Sequence, residues 1–216
     1  SPEEEFKMFR RVVEASGRPM VFTCNQRHDG RGTFWKDLMT YAREARDDGH
    51  ILRPVVAPRP IGVMLGLNGS QNPFSGTPTY RSIEHLPLDQ RVKAMSQQDI
   101  RAKILSEDPV KQSTFPLIHR ILFTQMFRLG SPANYTPLPE ESISAMAQNA
   151  GVTPQEMAYD ILLENQGREF IYAPLVNYAN YTMDACAEML DDTYSIMGLG
   201  DGGAHVGFIL DAGYPT

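Results

Sequence analysis

Ten residues, Gly198-Leu199-Gly200-Asp201-Gly202-Gly203-Ala204-His205-Val206-Gly207, hold the residue types best suited to chemistry in this chain. They follow Tyr194-Ser195-Ile196-Met197, a short apolar run that reads as a buried strand. A carboxylate therefore stands among glycines at the C-terminal tip of a strand, with a histidine four positions on. Glycine frees the backbone and clears space around a neighbouring side chain. A carboxylate presented in this way can bind a metal ion or carry a proton. Taken as bare residues, Asp201 reads equally as a turn aspartate bonding its own backbone, and His205 alone reads as a structural histidine. The string Gly198-x-Gly200-x-x-Gly203 also matches a dinucleotide fingerprint, but that reading fails. Asp201 would occupy the place where a pyrophosphate must approach. Val206-Gly207-Phe208-Ile209 does not read as the start of a crossover helix.

The elements that must position such residues follow an α/β rhythm. Residues 2–15 predict a helix, acidic at its start, with Phe6, Phe9, Val12 and Val13 on one face and Ser16-Gly17 as its stop. Residues 18–24 predict a strand. Thr33 is placed to cap a second helix that carries Phe34, Leu38, Tyr41, Ala42 and Ala45 on one face. Residues 51–57 predict a second strand, closed by Pro58-Arg59-Pro60. Strand, helix, strand with short connections is the pattern of parallel α/β units. Residues 61–80 are rich in Gly, Asn, Ser and Pro and predict a long loop. Short helices are expected over 88–95 and 97–106, while 114–129 is apolar and ambiguous. A helix is expected over 140–150. Another starts at Thr153-Pro154-Gln155-Glu156, which offers a cap, a proline at the first position and a glutamate to bond back. Residues 170–176 predict a third strand interrupted by Pro174. Residues 183–190 predict a helix capped by Thr182, and 194–199 the last strand.

The strand tips carry the other candidates. The first strand ends in Cys24-Asn25-Gln26, with His28 close by, and the second in Ala57-Pro58-Arg59. In a parallel barrel such tips face the active site. Arg59 suits a carboxylate clamp there, and equally suits a solvated loop.

A formal net charge of −6 argues against nucleic acid as a partner, because phosphate binding needs a basic surface. No apolar run reaches the roughly 18 residues of a membrane span. Cys24 and Cys186 are too few for a disulfide framework or zinc finger, so reduced thiols and a cytoplasmic location are the expectation. No signal peptide is visible, and the chain opens on Ser1-Pro2-Glu3 rather than methionine.

The segment from Gly200 to Gly207, running on to Asp211-Ala212-Gly213-Tyr214-Pro215-Thr216, resembles the stretch after the eighth strand of N-acyl-D-amino-acid deacylases. These are metal-dependent hydrolases of the amidohydrolase superfamily. Val56-Ala57-Pro58-Arg59-Pro60-Ile61-Gly62, Leu65-Gly66-Leu67 and Asn72-Pro73-Phe74 resemble the same group, and the likeness follows the whole chain in order. The resemblance implies a (β/α)8 TIM barrel of which residues 1–216 are one partial catalytic domain, with a long loop insertion around 61–80. Strand five would be 20–24, strand six 52–57, strand seven 170–176 and strand eight 194–199. The metal-ligating His-x-His pair of strand one would lie outside this chain, so the piece alone is expected to be inactive and poorly stable.

The resemblance further implies hydrolysis of the amide C–N bond of an N-acyl amino acid or related compound by a metal-activated water. Asp201 would be the strand-eight aspartate that accepts and returns the proton and touches the metal, with one or two zinc ions as the expected cofactor. Arg59, Asn25 and His205 would contact the small-molecule substrate. Family members carry histidine ligands at the ends of strands five and six. Here those tips read Thr23-Cys24-Asn25-Gln26 and Ala57-Pro58-Arg59, without a histidine. The alternative is therefore a non-catalytic barrel of the same kind that binds a small molecule.

Overall fold

The computed structural model describes residues 2–27, 33–109, 121–198 and 209–211. The chain is α/β and divides into two compact units. The first comprises Ser1–Ile61, Leu175–Gly202 and Ala212–Thr216; the second comprises Gly62–Pro174 and Gly203–Asp211.

In the first unit, α1 (Pro2–Ser16) carries Glu3, Glu4 and Glu5 in its first turn, where the helix dipole favours negative charge. It ends at Gly17, whose φ of 64° lets its N–H donate to the Val13 carbonyl at 2.9 Å. The chain turns into β1 (Met20–Thr23), passes through α2 (Phe34–Asp47) and returns in β2 (Leu52–Val56). β1 and β2 pair in parallel, Met20 opposite Leu52 and Thr23 opposite Val55. β6 (Ile196–Met197) joins the far side of β2, also parallel, Val55 opposite Ile196. α8 (Asp184–Leu190) precedes it. The unit's core packs α1, α2 and α8 on the sheet through Phe6, Phe22, Trp35, Met39, Leu52 and Met189. Each such side chain contributes about 1.5–3 kcal/mol by leaving water. Among the described helices none is long and apolar enough to cross a membrane.

The second unit differs from the sequence expectation at its start. The expected loop over 61–80 opens with β3 (Ile61–Gly66), buried along its whole length, and closes with α3 (Pro78–Ile83). Glycines within Ile61–Gly66 read as loop residues in the sequence, but they serve close packing. A Cβ at Gly66 would stand 2.6 Å from Phe170 Cδ1, and one at Gly62 would fall inside contact distance of the Tyr172 ring. Both rings belong to β5 (Phe170–Val176). β3 thus offers gaps at Gly62 and Gly66 that receive the aromatic side chains of Tyr172 and Phe170, and the two strands are neighbours. The sheet order is β4-β5-β3-β7, with β4 (Phe127–Arg128) and β7 (Ile209–Asp211) each antiparallel to its neighbour. β5 therefore lies in this sheet and not between β2 and β6, where the barrel order five-six-seven-eight would put it. Among the described residues no closed barrel forms.

The remaining helices are α4 (Leu88–Met95), α5 (Gln98–Ser106), α6 (Ile143–Ala150) and α7 (Pro154–Gly167). Thr153 caps α7 as its sequence predicts: its Oγ1 accepts from Glu156 N at 3.2 Å, and its own N–H donates to Glu156 Oε2 at 2.8 Å. Two other predicted caps do not form. Thr33 holds near-helical φ and ψ with no side-chain bond to α2, and the residue before α8 is Met183 rather than Thr182. Capping oxygens need an extended backbone, which Thr153 has and Thr33 lacks.

Candidate functional site

Because β1, β2 and β6 run parallel, their C-terminal ends lie along one edge of the first sheet. Ligands of open parallel α/β sheets bind outside that edge. Three continuations leave it: Cys24-Asn25-Gln26-Arg27 after β1, Ala57-Pro58-Arg59 after β2, and Gly198 after β6. Gly198 N–H donates to the Val56 carbonyl at 2.9 Å, which carries the pairing to the last described residue before the glycine-rich motif. Asp201 and His205 lie outside the described residues, and so does His28.

Asn177, at the end of β5, ties two of these continuations together. It is fully buried and holds φ at 65°, a left-handed conformation that asparagine tolerates better than most residues. Its Oδ1 accepts from Gln26 N at 2.8 Å, and its own N–H donates to the Gln26 carbonyl at 2.8 Å. Its Nδ2 reaches Asn25 Oδ1 and the Ala57 carbonyl, each at 3.4 Å. Gln26 is buried too, and its Oε1 accepts from Ala179 N at 3.0 Å. A network of carboxamides thus holds the tips of β1 and β2 in one place. Asn177 escaped the sequence reading, and Gln26 entered it only as part of the first strand tip. The signal was present in Asn177, an asparagine directly after a strand, but its partner stands 151 positions away.

Asn25 is brought to a hollow of about 390 Å³ at the same edge. Connectivity explains its location. α1 and α2 each lead by a short turn into the N-terminal end of a strand, so the N-terminal halves of both helices stand beside the C-terminal end of β1. Phe6 and Phe9 from α1, Phe34 and Leu38 from α2, and Thr23, Asn25 and Arg27 from the strand side line the space. Glu5 and Val176 complete it. Phe6 meets Phe22 edge-on, ring centroids 5.6 Å apart, which fixes the inner wall. Arg59 is half-buried in the turn after β2 and does not line this hollow.

Cys24 is not available as a nucleophile or metal ligand. It is fully buried, its Sγ faces the Trp35 carbonyl at 3.9 Å, and burial pushes its pKa up to about 12. Cys186 is held in the same way, with its pKa raised to about 11 by burial. Zinc takes thiolate, imidazole or carboxylate donors. The described strand tips offer carboxamides already bonded to each other and a thiol kept protonated. They do not fit a zinc shell, and no group of three or more His, Cys, Asp or Glu side chains gathers among the described residues. Comparison with protein-family models, with curated proteins and with solved structures finds no match to this chain.

Proposed function

We propose that this chain forms part of an amidohydrolase-type enzyme that cleaves the amide C–N bond of an N-acyl amino acid or related small molecule. One observation carries the reading. Three parallel strands end along one edge, and the third runs on into Gly200-Asp201-Gly202-Gly203-Ala204-His205, the motif that resembles the strand-eight segment of N-acyl-D-amino-acid deacylases. In this reading β1, β2 and β6 are the parallel strands of the partial (β/α)8 barrel, and β5 pairs in the other sheet. Asp201 takes a proton from the attacking water and returns it to the leaving nitrogen. Arg59 holds the substrate carboxylate, and Asn25 and His205 contact its polar groups. Zinc belongs to the family reading, but the described residues do not form its shell and no step here is assigned to it. Two free, buried cysteines accord with a reducing compartment such as the cytoplasm.

The test is amine release from a panel of N-acyl amino acids of both configurations by the intact protein. Asp201→Asn is expected to lower the rate by about 10² to 10⁴, the range for loss of a general acid–base group, with an unchanged melting temperature. Full activity in the variant would remove Asp201 from the mechanism.

A second reading is favoured by the carboxamide network that stands where the family carries histidine ligands. There the protein binds the same class of molecule without cleaving it. Binding with no turnover, unaffected by Asp201→Asn and with no zinc found by elemental analysis, would select that alternative.

A further inference from the structure

Resting on the N-acyl amino acid reading, we infer that the hollow beside β1 is the acyl-group pocket and that it selects aromatic or medium-chain acyl groups over acetyl or formyl. Four observations carry this. The hollow measures about 390 Å³. A closed cavity of about 150 Å³ is enough for benzene, so a phenylacyl group or a chain of several methylenes fits with room to spare. Its walls are apolar, and Phe9, Phe34 and Leu38 are only half-buried, so they keep apolar surface for a ligand to cover. Its position at the C-terminal end of β1 lets a bound tail extend toward the strand tips, where Asn25 stands.

The rim decides the head group. Arg27 and Glu5 both line the opening, so it carries one charge of each sign. A free carboxylate would gain from one and lose to the other. A neutral amide, which presents one acceptor and one donor, suits such a rim together with the Asn25 carboxamide. The ligand class that follows is an apolar acyl chain joined to nitrogen. Asn25 is itself held by Asn177 Nδ2, so the polar contact is supported from behind.

The experiment uses the intact protein with two probes, N-acetyl-leucine and N-octanoyl-leucine, each as both enantiomers. Binding is followed by titration calorimetry and cleavage by amine release. Each buried methylene is expected to raise affinity roughly fourfold, so the octanoyl probe should bind at least about tenfold more tightly. Leu38→Trp, which fills the hollow, should erase the preference by bringing octanoyl binding down to the acetyl level. Phe9→Ala and Phe34→Ala should reduce it. Val12→Ala, on the exposed side of α1, should not change it. Thermal melting of each variant separates loss of the pocket from loss of the fold.

Equal affinity for the two probes, no binding of either, or a preference that survives Leu38→Trp in a folded protein would overturn the inference. The underlying reading is judged separately. Octanoyl-selective binding without cleavage keeps the pocket and removes the hydrolase. Cleavage without chain-length preference keeps the hydrolase and removes the pocket.

Discussion

Replacing Asn177 with alanine should weaken the first unit at the edge where the strands end. The side chain makes one short bond, accepting from Gln26 N at 2.8 Å, and two long ones at 3.4 Å to Asn25 and Ala57. Alanine leaves the Gln26 N–H buried without that partner, which costs about 1–3 kcal/mol. The two long bonds add little. The residue also holds φ at 65°, where a Cβ without a local polar bond costs about 1–2 kcal/mol. The sum is about 2–5 kcal/mol, a large share of the 5–15 kcal/mol typical of a domain. Asn177→Gly separates the two contributions, because glycine accepts the left-handed backbone but restores no hydrogen bond. It should lie about 1 kcal/mol above the alanine variant and still below the wild type. Urea unfolding followed by circular dichroism measures both, and with the usual slopes the alanine midpoint should fall by about 1–2 M. An alanine variant within about 0.5 kcal/mol of wild type, or a glycine variant less stable than alanine, would refute the argument.

Gly62→Ala should lower the melting temperature by about 3–10 °C, because the new Cβ would stand 2.9 Å from the Ala173 carbonyl oxygen and press on the Tyr172 ring; an unchanged melting temperature would contradict the close packing of β3 on β5. Cys24 makes stability depend on alkaline pH. Its folded pKa, near 12, lies above the unfolded value, so below about pH 8 the thiol is neutral in both states and has no effect. The unfolded chain ionises first, from about pH 8 upward, and stability should then fall by an amount approaching about 1.4 kcal/mol per pH unit until the folded thiol titrates. Urea midpoints between about pH 9 and pH 10.5 should fall less steeply in Cys24→Ala than in wild type; equal slopes would mean that the thiol is not protected as described.

Several elements were legible because their signals are local. The capping pattern Thr153-Pro154-Gln155-Glu156 specifies α7 through bonds within four residues, and the structure contains them. Apolar runs located β1, β2, β5 and β6, but β6, expected to be buried, is exposed at Ile196 and Met197 because among the described residues a single neighbour, β2, covers it on one side. Thr33 does not cap because residue type alone does not set φ and ψ, and Thr182 stands one residue too early because α8 begins at Asp184. The run from Ile61 to Gly66 was misread because glycine marks a loop and a close approach with the same letter. Only the rings of Phe170 and Tyr172, more than 100 positions on, tell the two apart. Of the residues named from the sequence, Asn25 lines the hollow beside β1 and Arg59 does not, whereas Asp201 and His205 lie outside the described residues and stand on sequence alone.

By itself the sequence determined the α/β class, the helices whose ends are written in neighbouring residues, and the glycine-framed Asp201 with its placement just beyond a strand. Tertiary structure decided which strands pair. β2 takes β6 as its neighbour and β5 joins β3, because pairing depends on the shape of the facing side chains and not on order along the chain. It also decided that Gln26 and Asn177 share a buried network, and that Phe6 and Phe9 of α1 and Phe34 and Leu38 of α2 leave a hollow beside Asn25. Those features arise between residues far apart in sequence, and a local pattern carries no record of the partner it will meet.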